Sequence, residues 1–503
     1  MGAGSLVPRQ VIEQHNSRES CWIIVHNKVY DITDFLDEHP GGSKIILRYA
    51  GKDATAAYEP IHPPSMISTN LPLEKHIGIA EPLNSTQAPV VSEEEQRRST
   101  VLATRPPLDE MLNLHDFEAV AQKMLTPKAA AYYNSGADDE LALRENRAAF
   151  QRVFFLPRIL RNVATVNFST TILGQKSSLP VYISATALGK LGHPDGELNL
   201  TRAAARGGVI QMIPTLASCG FDEIVDAAEP GQPLFLQLYV NRDREVTKKY
   251  VQHAERRGVK GLFITVDAPQ LGRREKDMRM KFVDDGPSGG AKVQEGQKDI
   301  KKNEGISRAI SSFIDPTLCW NDIPWFRSIT SMPIVLKGIA SPADALLAYD
   351  AGVQGIVLSN HGGRQMDSAR SSLENLVDVV AALKTRGPWP NPKFSVFVDG
   401  GVRRASDVIK ALALSASAVG VGRGFLFAAC AYGQEGVERA IQIIRDELEM
   451  NMRLLGATEL SDIVPEMVDA KGLHNHAGLT PSDNLFQSAY QPLRLAQFRD
   501  AKL

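Results

Sequence analysis

The sequence predicts an α/β chain in which a parallel (β/α)₈ barrel is preceded by a small α+β domain. Three observations carry this. Between residues 108 and 475, eight short apolar runs alternate with helical stretches, the rhythm of repeated βα units. Each run ends in polar or glycine residues, as the active face of such a barrel requires. Residues 6–80 read differently, as two short β runs followed by helical turns that carry histidines.

At 503 residues, the chain has room for a barrel of about 250 residues or more plus a smaller unit. A hydrophobic fraction of 43%, a charged fraction of 23% and a net charge of -2 describe a soluble globular protein and give no support to a nucleic-acid or polybasic membrane role. No apolar run approaches the roughly 20 residues that span a bilayer. Cys21, Cys219, Cys319 and Cys430 lack metal or redox spacing and read as reduced thiols. Met1–Gln10 shows neither a secretory apolar core nor the amphipathic pattern of a mitochondrial presequence. The final Ala501-Lys502-Leu503 is similar to the peroxisomal Ser-Lys-Leu signal.

In the first unit, Ser20–Val25 and Lys28–Ile32 read as strands joined by a His26-Asn27 turn. Phe35–Gly42 then forms a helical turn closed by Pro-Gly-Gly, followed by a helical run from Ser43 to Ala50 and the segment Glu59–Pro63. His39 and His62 each sit beside a chain-reversing Pro or Gly and are separated by a helical hairpin. Two neutral imidazoles facing one another are good axial ligands for haem iron. Histidines that merely cap turns are the plainer reading, and a unit of this type that binds something other than haem is a third. The Asp-Glu-His39-Pro-Gly-Gly segment resembles the cytochrome b5 family over essentially the whole unit. The resemblance makes His39 and His62 ligands of haem b and the unit a one-electron carrier.

Residues 81–107 read as a linker with a charge run, Ser92–Arg98, expected to be a solvated helix face; a hinge there would let the small domain swing. The barrel domain is expected over 108–475 and a tail over 476–503. Its strands are Val181–Ser184, Val209–Ile213, Leu234–Tyr239, Leu262–Val266, Ile334–Lys337, Gly355–Ser359, Val396–Val398 and Ala418–Val421. In this (β/α)₈ TIM barrel, polar groups fall at successive strand ends. They are Ala185-Thr186-Ala187, Gln237 with Tyr239, Thr265 with Asp267, Lys337, His361 with Arg364, Asp399-Gly400-Gly401 with Arg403, and Gly422-Arg423. The two glycine-rich turns after the last two strands, each with an arginine, suit a single phosphate. Lys337 would place a cation beside an electron-rich ring, as a flavin requires. His361 can move a proton, and Arg364 presents a fixed fork of donors, a pair suited to a carboxylate beside a carbon that loses hydrogen. Between the fourth and fifth strands, Phe282–Glu304 reads as a mobile excursion, a candidate lid and protease target.

Five segments carry a second resemblance: Ala131–Ala137, Thr265–Pro269, Leu336–Gly338, Ser359–Gln365 and Val398–Arg403. Their order and content are similar to the FMN-dependent L-2-hydroxy acid dehydrogenase/oxidase family over the whole barrel. With the haem unit in front, the chain resembles the flavocytochrome b2 family, L-lactate dehydrogenases that reduce cytochrome c. The resemblance implies oxidation of L-lactate, or a similar short L-2-hydroxy acid, to the 2-keto acid through FMN, with electrons leaving singly through haem.

It also assigns roles. Arg364 would clamp the substrate carboxylate, helped by the Tyr133 hydroxyl and with Arg274 close by. Tyr239 would bond the 2-hydroxyl, and His361 would be the base oriented by Asp267. Loss of the proton from carbon and loss from the hydroxyl during hydride transfer both stay open. Ala185, Thr186, Ala187, Gln237, Thr265, Lys337, Ser359, Asp399, Gly400, Gly401, Arg403, Gly422 and Arg423 would hold FMN. Ala187 and Leu216 would border the 2-substituent in a lactate-using pattern, with a smaller residue at 187 expected of mandelate users. Two departures stand out: Pro214 replaces a serine near the flavin, and Gly424 replaces a proline. The resemblance further implies a homotetramer and places relatives in the mitochondrial intermembrane space, against the peroxisome-like tail. An O₂-using peroxisomal 2-hydroxy acid oxidase is the rival reading: the tail favours it, and the haem unit speaks against it, since a direct oxidase needs no haem. A haem-binding module on a dead barrel is another.

Overall fold

The computed structural model describes residues 5–39, 43–62, 66–82, 93–283 and 313–476. Most of the expected Phe282–Glu304 excursion, and the tail from residue 477 with its terminal tripeptide, lie outside the described residues.

The first unit is a four-stranded sheet in the order β1 (Leu6–Val7), β4 (His76–Ala80), β3 (Lys28–Asp31), β2 (Trp22–Val25). Strands β2 and β3 form the expected hairpin. His26 and Asn27 both adopt left-handed φ, at 52° and 61°, the two-residue turn whose twist matches paired strands. Alternation along the strands sends Cys21, Ile23, Val25 and Tyr30 into one apolar cluster and Ile24 and Val29 into another. The first cluster is closed by Leu36, Ile46, Leu47, Tyr58, Ile67 and Leu71 from the helical side of the unit. The helical run expected over Ser43–Ala50 is shorter, ending at Leu47, because the chain must turn through Gly51 at φ 74° to return to the sheet.

The expected charge run forms the helix Glu93–Thr104, but its arginines are not spent on solvent. Arg97 donates to the carbonyls of Lys123 and Leu125 at 3.0 and 2.9 Å, and Arg98 to Gly192 at 3.2 Å. These contacts tie the helix to the barrel body.

Eight parallel strands close the barrel: β5 (Val181–Ile183), β6 (Ile210–Ile213), β7 (Leu234–Leu238), β8 (Leu262–Thr265), β9 (Ile334–Ile339), β10 (Gly355–Leu358), β11 (Ser395–Asp399) and β12 (Ala418–Val421). All eight sequence-predicted strands are present in order, within two residues at either end. Side chains of period two divide them. Val181, Leu236, Ile264 and Val398 face the helices, while Tyr182, Phe235, Phe263, Val357 and Phe397 fill the barrel interior. The aromatic rings meet at centroid distances of 5.1–6.3 Å, and burying each contributes roughly 1.5–3 kcal/mol. A hairpin, Thr170–Ile172 with Gln175–Ser177, adds Ile172 and Leu173 to this plug. One mouth of the barrel remains for chemistry. No helix among the described residues is long and apolar enough to cross a membrane.

Candidate active site

The floor of the site follows from strand periodicity. Two residues beyond each interior side chain, the next one must also point inward, now at the C-terminal mouth. Tyr182 is thus followed by Ser184, Met212 by Pro214, Phe235 by Gln237, Phe263 by Thr265, Val335 by Lys337, Val357 by Ser359 and Phe397 by Asp399. An apolar plug gives way to a polar layer in a single step. Above it opens a cleft of about 1110 Å³ whose walls include Tyr132, Ala187, Leu216, Tyr239, Arg274, His361, Arg364, Arg403 and Arg423.

His361 projects from the turn after β10. It and the two glycines that follow are left-handed, at φ 59°, 64° and 78°, so the strand ends abruptly and the imidazole turns back over the barrel. A side chain at Gly363 would put Cβ 2.5 Å from the backbone of Leu143. The Ser359 hydroxyl accepts the His361 backbone N–H at 3.0 Å. Asn360 exchanges two amide hydrogen bonds with buried Asn146, at 2.7 and 2.8 Å, which fastens the turn to the helix Leu141–Gln151. The Nδ1–H of His361 donates to Asp267, 3.1 Å from Oδ1 and 3.3 Å from Oδ2. Its Nε2 therefore carries a lone pair, toward which the Tyr239 hydroxyl donates at 3.0 Å.

The electrostatics keep that lone pair in place. Burial pushes the His361 pKa below the ordinary histidine value; the Asp267 charge opposes this, while Lys337 and Arg274 add to it. Burial pushes the Asp267 carboxyl up, but His361 and Lys337 outweigh it and hold the group below the usual carboxylate range. The resting pair is a neutral imidazole against a carboxylate anion.

Two guanidiniums stand beside it. Arg364 donates to the carbonyls of Tyr132 and Ser135 at 2.7 and 3.1 Å and lies 5.0 Å over the Tyr132 ring. Among the described residues no carboxylate forms an ion pair with Arg364. Arg274 is 4% exposed and donates to the Arg364 carbonyl at 3.2 Å. Its pKa is pushed down to about 10 by burial and by the neighbouring Arg364. A second guanidinium beside Arg364, which has no carboxylate ion pair among the described residues, favours an anionic ligand there.

One expected residue is not where the chemistry needs it. The Tyr133 hydroxyl is spent on the Leu188 carbonyl at 2.5 Å. Its neighbour Tyr132 faces the arginines instead, with the Arg364 and Arg274 charges acting directly on its hydroxyl. Both residues line the cleft, but adjacent residues on a helix point about 100° apart, and only the Tyr132 hydroxyl feels the arginines. The sequence offers no signal between them, since both are buried on this helix.

The remaining residues form a cradle. Lys337 is 5% exposed and lies 3.1 Å from the Ser359 hydroxyl and 3.4 Å from Asp399. Gln237 accepts the Thr215 backbone N–H at 3.1 Å and donates to Thr265 at 2.9 Å. Thr265 and Ser359 thus support Gln237 and Lys337 from behind and do not line the cleft. Gly400 and Gly401 bend back at φ 95° and 81°, and a Cβ on Gly401 would lie 2.0 Å from the Asn146 carbonyl oxygen. Gly422 then caps the helical stretch Arg423–Leu455, and Gly422 and Arg423 both line the cleft, a helix start placed to suit a phosphate.

The two arginines are more committed than expected. Arg403 pairs with Glu118 at 3.2 Å. Arg423 donates to the carbonyls of Tyr133, Gly362 and Ser135 at 2.8, 2.9 and 3.0 Å, and burial with Arg364 and Arg403 nearby lowers its pKa to about 9. Its guanidinium still lines the cleft and adds positive field there.

FMN fits this set. Thr186 Oγ1, Ser184 Oγ and Asp399 Oδ1 are buried in the cleft walls without a hydrogen-bond partner, a pattern that a polar ring system would satisfy. Ala185 and Ala187 keep the adjoining wall small. Pro214, on the same floor, offers neither hydroxyl nor N–H.

In the first unit, the His39 and His62 ring centroids lie 6.1 Å apart. Two metal–imidazole bonds of about 2 Å each would put facing nitrogens about 4 Å and ring centres about 6 Å apart. Burial, and secondarily His39, pushes His62 down to about 4, so its nitrogen is a neutral ligand. Aromatic rings flank the pair, Tyr58 at 4.8 Å from His62 and Phe35 at 5.9 Å from His39. These residues fit a haem.

A carboxylate-binding proton-transfer site in a (β/α)₈ mouth, joined to a bis-histidine unit, defines a flavin-dependent dehydrogenase with its own haem module. The chain belongs to the FMN-dependent dehydrogenase family, whose profile matches residues 121–470, and it carries a cytochrome b5-like heme/steroid binding domain matched over 8–124. It is 53% identical over 490 residues to an L-lactate dehydrogenase (cytochrome) of Wickerhamomyces anomalus, covering 97% of this chain and 84% of that one. The recombinant flavin-binding domain of baker's yeast flavocytochrome b2 superimposes with a TM-score of 0.71 at 45% identity, covering 82% of this chain and 100% of that domain. Glycolate oxidase 1 of Zea mays is 42% identical over 360 residues, 71% of this chain and 95% of that one.

Proposed function

We propose that the chain oxidises L-lactate to the 2-keto acid and passes the electrons, one at a time, to an external acceptor such as cytochrome c. The observation that carries this is the neutral His361, held by Asp267 and standing beside an Arg364 with no carboxylate partner among the described residues. The substrate carboxylate supplies the missing anion, gripped by Arg364 and Arg274 with the Tyr132 hydroxyl donating. Tyr239 orients the 2-hydroxyl. His361 Nε2 accepts the proton leaving the CH–OH unit, and the Asp267 anion stabilises the imidazolium that results. FMN bound in the cleft would supply the two-electron acceptor, and haem between His39 and His62 the one-electron exit. Ala187 and Leu216, both in the cleft wall, border the 2-substituent and favour a methyl group. The resemblance supports cytochrome c as acceptor and a homotetrameric assembly.

Anaerobic stopped-flow absorbance after mixing with L-lactate tests the reading. Flavin bleaching followed by sharpening of the haem bands is expected. If haem stays oxidised until air is admitted, an O₂-using oxidase is the better reading; if neither chromophore changes, the proposed substrate is wrong.

A further inference from the structure

Behind two of the strand ends lies a carboxylate that the chemistry does not use. Glu197 is fully buried, immediately before the helix Leu198–Gly207. Its Oε1 accepts the backbone N–H of Gly189 at 2.8 Å and of Ser218 at 3.0 Å. Its Oε2 accepts the Ser218 hydroxyl at 2.8 Å and the Cys219 N–H at 3.1 Å. Among the described residues no Lys, Arg or His forms an ion pair with it, so N–H and O–H donors alone stabilise the charge. A buried anion held in this way is tolerable only while those bonds are made.

The donors come from two loops. Gly189 follows β5 and Ser218 and Cys219 follow β6. The same loops carry Ala187 and Leu216. They are joined again where the Leu188 N–H donates to the Leu216 carbonyl at 3.2 Å and the Lys190 N–H to the Ser218 hydroxyl at 2.8 Å. We propose that Glu197 is a positioning residue that sets the spacing between Ala187 and Leu216, and through it the size of the 2-substituent the site accepts. This rests on reading those two residues as the wall against that substituent.

The test compares kcat/KM for L-lactate and L-mandelate in the holoenzyme. Glu197→Ala should raise KM for L-lactate and cut the lactate-over-mandelate preference by about tenfold, the scale of discrimination by volume. Flavin reduction at saturating L-lactate should stay within about threefold, because no group on the substrate is removed. Glu197→Gln should recover most of the preference, since its amide oxygen can still accept from Gly189 and Ser218. Ser218→Ala, which keeps the carboxylate and loses two of the bonds, should shift the preference the same way by a smaller factor and serves if the alanine variant at 197 does not fold. An unchanged preference in Ser218→Ala, or a loss of flavin reduction in Glu197→Ala that Glu197→Gln does not restore, overturns the proposal. Leu216→Ala separates the underlying reading: if it leaves the preference unchanged, Leu216 is not the wall.

Discussion

The Nδ1 of His361 lies 3.1 Å from Asp267 although 94 positions separate them in sequence. Each stands just beyond its own strand, with β9 between the two strands. The barrel supplies this juxtaposition, and it fixes which imidazole nitrogen is free to take a proton.

The pH dependence of kcat/KM for L-lactate should reflect that arrangement. The neutral imidazole is the active form, and burial holds its pKa below 6.5. Activity is therefore full above that value and falls only as pH drops through the lowered one. Asp267→Asn removes the charge that opposes this shift, so the acid limb should move lower still. The rate should drop by about 10²–10⁴ with the tautomer no longer enforced. An acid limb that moved upward in this variant would rule out the assignment.

The two adjacent tyrosines should separate cleanly. Tyr132→Phe deletes a donor to the substrate carboxylate, and hydrogen bonds to charged groups are worth about 1.5–3 kcal/mol, so kcat/KM should fall roughly 10- to 150-fold. Tyr133→Phe deletes the hydroxyl's bonds to the Leu188 and Gly189 carbonyls and should cost about 1 kcal/mol of stability with kcat/KM nearly intact. Steady-state kinetics and thermal melts on both variants decide; the reverse pattern would restore Tyr133 to the site.

His62→Ala should abolish the haem absorbance bands and cytochrome c reduction, while L-lactate still bleaches the flavin. The two histidines lie beside one another in the first unit, and the cleft is lined wholly by barrel residues. Loss of flavin bleaching in this variant would contradict that separation.

Gly401→Ala should lower FMN retention and the melting temperature together. The new Cβ would meet the Asn146 carbonyl at 2.0 Å in a left-handed backbone, a combination that costs on the order of 1–3 kcal/mol. Normal flavin content after gel filtration would show that this turn does not form the cradle.

Much of this was legible in the chain. Runs such as Gly355–Leu358 are apolar on both faces because a parallel barrel covers both, and a polar residue two positions past an interior one marks the mouth. Less legible was anything that depends on helix phase or on partners remote in sequence. Tyr132 and Tyr133 are equal candidates until the helix Pro127–Asn134 is oriented. Arg423 stands out in the sequence by its glycine-arginine turn, but the three carbonyls from distant turns that also hold it leave no trace there. The arginines of Ser92–Arg98 read as solvated because their acceptors, at residues 123, 125 and 192, belong to other elements. Glu197 carries no local signal at all: its four donors come from loops that only folding brings together.

The anchoring of the helix Glu93–Thr104 to the barrel also sets a leash. The connection from Pro82 to Glu93 crosses eleven peptide steps, which at roughly 3.3–3.6 Å each cannot exceed about 40 Å. The redox unit on the far end is thereby confined to within that distance of its anchor, whatever path the connection takes. Exchange between the two centres of one molecule should consequently be indifferent to dilution. Delivery to a separate acceptor, by contrast, should scale with that acceptor's concentration, so dilution would separate the inner transfer from the outer one.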